Sequence, residues 1–382
     1  MKSNYDILGN HIRLIDTRNR ESITDRVLGI NIDKFFMPSV ANVIGTDLSK
    51  YKLITKGKFA CNPMHVGRDE RLPVALYDEE EPAIVSPAYF MFEVVDNSIL
   101  NEDYLMMWFR RPEFDRICWL HTDGSVRGGI TWDDICRLEL PIPPIEKQLE
   151  IVNSYKAITE RIALKQKIND NLEATLTAIF KKMFVEDESV EFTSKKLHEL
   201  TKTIDNRGKT PPNDNVETPY PLIEIAALRT NGRIATYRNC IKFVTEEMYN
   251  SWFRSGHPKQ KDILMSTVGS LAELKLFWGD KGSIAQNIVA FRCHDTTLSM
   301  YLYQYLLRKQ HELAAYEIGS VQASIKVSQV IEYDIDVPPQ DLLEQFDKIA
   351  TLFTEQIYQN EDDIDICHKL CNLILQRLTP QD

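Results

Sequence analysis

Residues 124–144 and 319–339 repeat one another without a gap, at an offset of 195. Gly124-Ser125-Val126 matches Gly319-Ser320-Val321, and Pro143-Pro144 matches Pro338-Pro339. Between these anchors Ile130 falls on Ile325, Ile135 on Val330, Leu140 on Ile335 and Ile142 on Val337, so the apolar positions repeat even where the polar ones do not. Each copy then enters a long segment of helical period. A duplication of this kind restricts the chain to two related halves, and a symmetric scaffold suits a symmetric object to grip.

The repeat extends upstream in weaker form. Leu8, Ile15, Asp16 and Arg18 fall 189 residues before Leu197, Ile204, Asp205 and Arg207, and Tyr104-Leu105 parallels Tyr301-Leu302. The interiors between these anchors share little, as expected of one scaffold carrying two different recognition surfaces.

From Ile145, apolar residues recur at Leu149, Val152, Ile158, Ile162, Ile168, Leu172, Leu176, Ile179 and Met183, a three-and-four spacing that predicts one amphipathic helix of about 40 residues starting at Pro143-Pro144. After Pro338-Pro339 the pattern returns through Leu342, Phe346, Ile349, Phe353, Ile357, Ile364, Cys367, Cys371, Ile374 and Leu378, with Asn360 at a seam position where a polar group can set register. Residues 145–184 hold seven basic and five acidic side chains, and residues 340–378 three basic and eight acidic, so the two segments are complementary in charge. They are expected to pair. Chain order makes the pair antiparallel, since the second helix begins where the first has delivered the chain. At about 1.5 Å per residue each is roughly 60 Å long, which predicts a dumbbell with its globular halves well apart.

The halves read as mixed α/β. Strand-like runs at Ala83–Val85, Tyr89–Val95, Asp262–Ser266 and Asn287–Phe291 alternate with helical patterns at 102–117 and 299–315. The predicted fold is therefore α+β: two pseudo-twofold-related globular domains, residues 1–142 and 187–337, separated by two long antiparallel coiled-coil helices at 143–186 and 338–382.

A length of 382 residues with 43% hydrophobic and 26% charged side chains is ordinary for a globular chain of two or three domains. No apolar run approaches the roughly 18 residues of a membrane span, and the first residues carry no apolar signal core, so a cytoplasmic protein is expected. Seven cysteines without a CxxC pair read as reduced thiols. Cys367 and Cys371, with His368 between them, share a helix face and suit a buried seam better than a metal.

Catalytic chemistry is not apparent. Gly208-Lys209-Thr210 resembles the end of a phosphate loop, but its first glycine would fall on Thr203. Pro211-Pro212-Asn213 has the letters of an amino-methyltransferase motif in the wrong order and reads as a turn. HExxH, GxSxG and GxGxxG are missing. No catalytic, cofactor-binding or metal residue is assigned, and the chain reads as a binder.

The formal net charge of −11 is unusual for a nucleic-acid binder. Much of it comes from the second helix and from Asp78-Glu79-Glu80-Glu81. Elsewhere polar and basic residues gather in glycine-bearing loops: Asn62, Arg68 and Arg71; Ser125 and Arg127; Arg207 and Lys209; Arg229, Asn231 and Arg233. Such loops offer amides and guanidinium forks to phosphates and base edges, and both halves carry them.

The doubled order of globular half, Gly-Ser-Val, alternating strand, Pro-Pro and long helix resembles the specificity (S) subunits of type I restriction-modification systems. Tyr51–Pro63, Ile84–Tyr89, Gly124–Arg127 and Leu140–Gln148 look like first-half signatures of that family, and Lys261–Ser266 and Ala285–Asn287 like second-half ones. The resemblance covers nearly the whole chain. It implies that each half is a target-recognition domain reading one part of a split sequence in double-stranded DNA. It implies that the helices dock methylation (M) subunits, two in number, with Leu149, Ile162, Leu172, Phe346, Phe353 and Ile364 as candidate docking positions. S-adenosylmethionine would be bound by those subunits and not by this chain, restriction (R) subunits could join for cleavage, and this chain would be a non-catalytic component. One departure is Gln340-Asp341-Leu342-Leu343 where the first copy has Ile145-Glu146-Lys147-Gln148, which puts the equivalence of the two docking surfaces in doubt. The competing reading, an antiparallel coiled-coil scaffold with two protein-binding ends, suits the acidic charge, and steeply salt-dependent DNA binding separates the two.

Overall fold

The computed structural model describes residues 5–41, 43–64, 66–122, 128–208, 210–213, 216–318 and 323–378. Both Gly-Ser-Val segments lie outside them. The chain divides into two compact units, Met1–Arg161 with Cys367–Asp382, and Ile162–Ile366.

The same sheet recurs in each unit. In the first, strands Ile12–Leu14, Phe90–Val94, Phe59–Cys61 and Val74–Leu76 lie side by side in that order, every neighbour antiparallel. In the second, the order is Thr201–Ile204, Ile288–Cys293, Ile263–Ser266 and Leu274–Leu276, again antiparallel throughout. Successive side chains leave a strand on opposite faces. Phe59, Cys61, Phe92 and Val94 therefore enter one core while Ala60 and Met91 enter another. Ile263, Met265, Val289 and Phe291 are divided in the same way from Leu264, Ile288 and Ala290. In both units the larger core faces helices: Glu102–Phe109 and Pro112–Leu120 in the first, Ser299–Arg308 and Gln310–Ala314 in the second. The sequence reading had one helical stretch in each place. Pro112 disfavours helical backbone at Arg111 and starts the next helix, so the first stretch is broken there.

The smaller core is where the units differ. The first unit covers it with a second sheet, Phe36–Pro38, Val27–Ile30, Ala83–Val85 and Lys52–Ile54, while the second uses a short parallel pair, Leu222–Ile223 with Ser283–Ile284, and the helix Ile225–Leu228.

The duplicated segment closes each unit alike. Strand Glu139–Pro141 pairs with Tyr5–Ile7 so that Asp6 faces Leu140, and Asp334–Val337 pairs with Thr193–Lys196 so that Lys195 faces Ile335. The helices that follow span Ile145–Phe184 and Gln340–Arg377, 40 and 38 residues. At their starts the copies differ. Gln148 is fully buried, accepting from Asn101 N and donating to the carbonyls of Ile99 and Pro143, whereas its equivalent Leu343 is a buried apolar residue.

Within the second unit the two helices run antiparallel. Lys165 pairs with Asp363 at 2.7 Å, Asn169 meets Asn360, and Phe180 and Phe184 both pack on Phe346, with ring centroids 5.6 and 5.4 Å apart. Each of these buried phenyl groups contributes about 1.5–3 kcal/mol. In the first unit Val152 shares a core with Leu375 and Leu378. Cys367 and Cys371 are buried in the second helix as its period predicts. No described helix is long and apolar enough to cross a membrane.

Candidate nucleic-acid interface

In the first unit the segment after strand Phe59–Cys61 carries three of the sequence candidates. Asn62 is held by its amide on Pro73 O at 2.9 Å, and its side chain accepts from Met64 N at 3.1 Å, an Asx turn. Arg68 is exposed and forms a two-pronged pair with Asp69 at 2.6 and 2.9 Å, which raises the guanidinium pKa. Arg71 is exposed and paired to Asp33 at 2.9 Å. This loop is stitched to the duplicated segment by Gly67 N on Gly128 O and Ile130 N on Pro63 O, at 3.0 and 3.2 Å. A side chain at Gly129 would bring its Cβ to 2.9 Å from Pro63 O, so the approach requires glycine there. Ser125 and Arg127 lie outside the described residues.

The second unit repeats the stitch. Ile325, the equivalent of Ile130, donates to Thr267 O at 2.8 Å, and Gly269 donates to Ala323 O at 3.4 Å. Exposed Arg229 holds Ser270 in this loop through Nε at 2.6 Å, and Asn231 is exposed nearby in sequence. Arg207 sits elsewhere in the unit, in a fork with Asp205 at 2.6 Å; burial pushes the Asp205 carboxyl up, but the Arg207 bonds carry it below its ordinary value. Lys209 lies outside the described residues.

Arg233 is a correction. It is 2% exposed, its Nη2 lies 3.0 Å from Glu173 on the first long helix, its Nη1 donates to Thr354 on the second at 3.3 Å, and it sits over the Tyr303 ring. A guanidinium enclosed this way faces no solvent and reads no DNA; it fastens the loop at 230–235 to both helices.

The docking positions also need correction. Phe346 and Ile364 are 1% and 0% exposed and Ile162 is buried, while Leu172 and Phe353 pack half-buried on the second core; their burial is spent inside this chain. Leu149 alone of the six is exposed. The helix residues left facing outward are Leu164, Ile168, Leu352, Ile366, Leu370 and Leu373. All but Ile168 stand outside the main stripe, which is the signal that separates those five from the buried seam. Sequence reading also missed Arg254 and Lys281, exposed cations beside Gly256 and Gly282.

No family model matches the chain. By sequence it is similar to the type I restriction enzyme HindI specificity subunit of Haemophilus influenzae, at 25% identity over 167 residues. The match takes in 43% of this chain and 36% of that protein, so it spans about a third of the relative's length. In fold it is similar to the S subunit of a type I restriction-modification system from M. genitalium, with a TM-score of 0.61 and 14% identity, covering 100% of this chain and 98% of that one.

Proposed function

We propose that this chain is the DNA-recognition subunit of a type I restriction-modification complex. Each unit reads one part of a bipartite target in double-stranded DNA, and the long helices dock the methylation subunits, two of them, through outward residues such as Leu164, Leu352, Ile366 and Leu370. S-adenosylmethionine and the methyl transfer belong to those partners, and restriction subunits join the same assembly. The chain itself positions DNA and performs no bond chemistry.

The observation that carries this reading is the recurrence of one four-stranded sheet, in one strand order, closed by one duplicated strand, beneath two different outer layers. Such an arrangement keeps the scaffold constant and lets the recognition surface vary. The resemblance of the motifs and the likeness to the HindI specificity subunit support the same assignment.

The chain carries a formal net charge of −11, so in isolation it is expected to bind DNA weakly and to gain affinity and specificity with its methylation partner. Fluorescence anisotropy on duplex DNA, with and without that partner, tests this. A partner-dependent, steeply salt-dependent affinity is expected. An absence of DNA binding under both conditions, with stable protein partners at the two units, would instead establish the coiled-coil scaffold that the charge of −11 also suits.

A further inference from the structure

In this acidic chain most cations are occupied. Lys58 and Arg13 share Glu93, Arg26 holds Glu79, Lys34 is buried against Asp115, Lys261 holds Asp347 and Arg292 holds Asp262. Two exposed cations of the second unit that no described carboxylate pairs, Arg254 and Lys281, lie on one face together with Arg207.

Arg254 is exposed and has no acidic partner among the described residues. Its Nη2 lies over Gly208, where an added Cβ would meet it at 3.3 Å and where φ is +132°, a backbone that other residues rarely adopt. Arg207 adjoins it. The repeat equivalent of Arg207, Arg18, pairs with Asp16 through Nη2 at 2.6 Å and spends Nη1 on Lys50 O at 2.7 Å, whereas Arg207 uses only Nε and Nη2, both on Asp205. Lys281 lies 5.6 Å over the Tyr220 ring, again with no acidic partner among the described residues.

These side chains share a rigid base. Asn206 donates to Gly256 O at 2.8 Å and accepts from Ser255 N at 2.9 Å, while Ser255 Oγ donates to Asp205 O at 2.6 Å, so the loop at 205–208 is bound to the loop at 254–257. His257 stacks on Tyr249 with centroids 3.7 Å apart and planes 5° apart. Its Nε2 donates to Tyr249 O at 2.8 Å, which leaves Nδ1 to accept the Ser283 hydroxyl at 2.7 Å. Tyr220 lies against Tyr249 at 4.5 Å and brings Lys281 into the same face.

We propose that this face contacts the sugar–phosphate backbone of duplex DNA through Arg207, Arg254 and Lys281, with the Asn206 and Ser255 hydrogen bonds holding the loops of the two arginines together and the Tyr220–Tyr249–His257 rings tying Lys281 to them. The assignment rests on the reading of the chain as a DNA-recognition subunit and names the surface by which its second unit grips the duplex. The Arg254 guanidinium, the Nη1 edge of Arg207 that Asp205 leaves open and the Lys281 ammonium group, beside a glycine that admits close approach of a backbone, suit phosphate oxygens. Glu246, which accepts the Tyr220 hydroxyl at 3.1 Å, and exposed Asp280 bound the patch and limit it to about three phosphates.

The test uses the assembled complex with methylation subunits, titrated by anisotropy across salt concentrations against two 40-base-pair duplexes, one carrying the motif methylated in the host and one lacking it. Arg254→Ala and Lys281→Ala should each weaken both duplexes alike, on the order of tenfold at 0.1 M salt, and lower the slope of log K against log salt by about 1. Lys195→Ala, an exposed cation on the closing strand, should change neither. An Arg207→Ala/Arg254→Ala/Lys281→Ala variant that keeps the parent's affinity and slope overturns the face and leaves the DNA-recognition reading standing. Losses confined to the motif duplex overturn the phosphate assignment in favour of base contacts. A parent complex with no salt-dependent DNA binding overturns both.

Discussion

Asn360 donates through Nδ2 to Oδ1 of Asn169 at 2.8 Å, and the two amides, one from each long helix, are buried in the second unit. The pair is part of a polar ladder. Asn169 Nδ2 donates to Glu361 at 3.0 Å and Lys165 Nζ donates to Asn360 Oδ1 at 3.0 Å, so any slip of one helix along the other would leave several buried groups unpaired.

Asn360→Leu should therefore destabilise the protein by about 1–3 kcal/mol, since Asn169 and Lys165 lose a buried partner. Adding Asn169→Leu should recover part of that loss while relaxing helix register. Chemical unfolding of the two single variants and the double variant measures the coupling, and additive losses would show that the amides act independently.

Arg233→Ala should cost about 3–5 kcal/mol, because Glu173 is left without its buried partner, yet it should leave the salt slope of DNA binding unchanged. Thermal unfolding and anisotropy on the same sample separate a fastening role from a phosphate contact.

Tyr104 and Tyr301 occupy equivalent places and make the same bond to the duplicated strand, Tyr104 Oη to Pro141 O at 3.2 Å and Tyr301 Oη to Asp336 O at 2.5 Å. Tyr104→Phe and Tyr301→Phe should each cost about 1 kcal/mol. Equal shifts in the unfolding of each variant would reflect the repeated construction; a loss for only one would mean that the halves have diverged in how they are closed.

The parts of this fold governed by local periodicity are legible in the sequence. Leu149 to Met183 keep a three-and-four spacing that tertiary contacts do not have to create, and Pro143-Pro144 marks the helix start to within a residue or two. The offset of 195 likewise placed Leu140 and Ile335 on equivalent strands. Strands of three or four residues such as Phe36–Pro38 and Val27–Ile30 are too short to display a period, so of the second sheet of the first unit only Ala83–Val85 was visible. Arg233 and the docking positions were misplaced for a related reason. Nothing in Asn231-Gly232-Arg233 distinguishes an exposed guanidinium from one buried on a partner 60 residues away, and a seam of alternating apolar residues does not say whether Phe346 faces this chain or another.

Burial of the imidazole lowers the pKa of His257 below its ordinary value of 6.5, against a smaller opposing effect of the Tyr249 carbonyl. The unfolded chain then binds the proton more readily than the folded one. Its contribution to stability is complete above about pH 6.5 and declines as pH falls through that value toward the folded pKa. Melting temperature measured from pH 7 to pH 5 should fall in the parent protein, and His257→Gln should flatten the part of that slope due to this residue; an unchanged slope would mean that His257 is not the group titrating.

The central claim is that this chain chooses a DNA sequence for partners that methylate it. The most direct measurement is methylome sequencing of the native host with the gene intact, deleted and restored. A bipartite methylated motif that disappears on deletion and returns on restoration is the expected result. A methylome identical in all three strains, with the methylation subunits still expressed, would contradict the account.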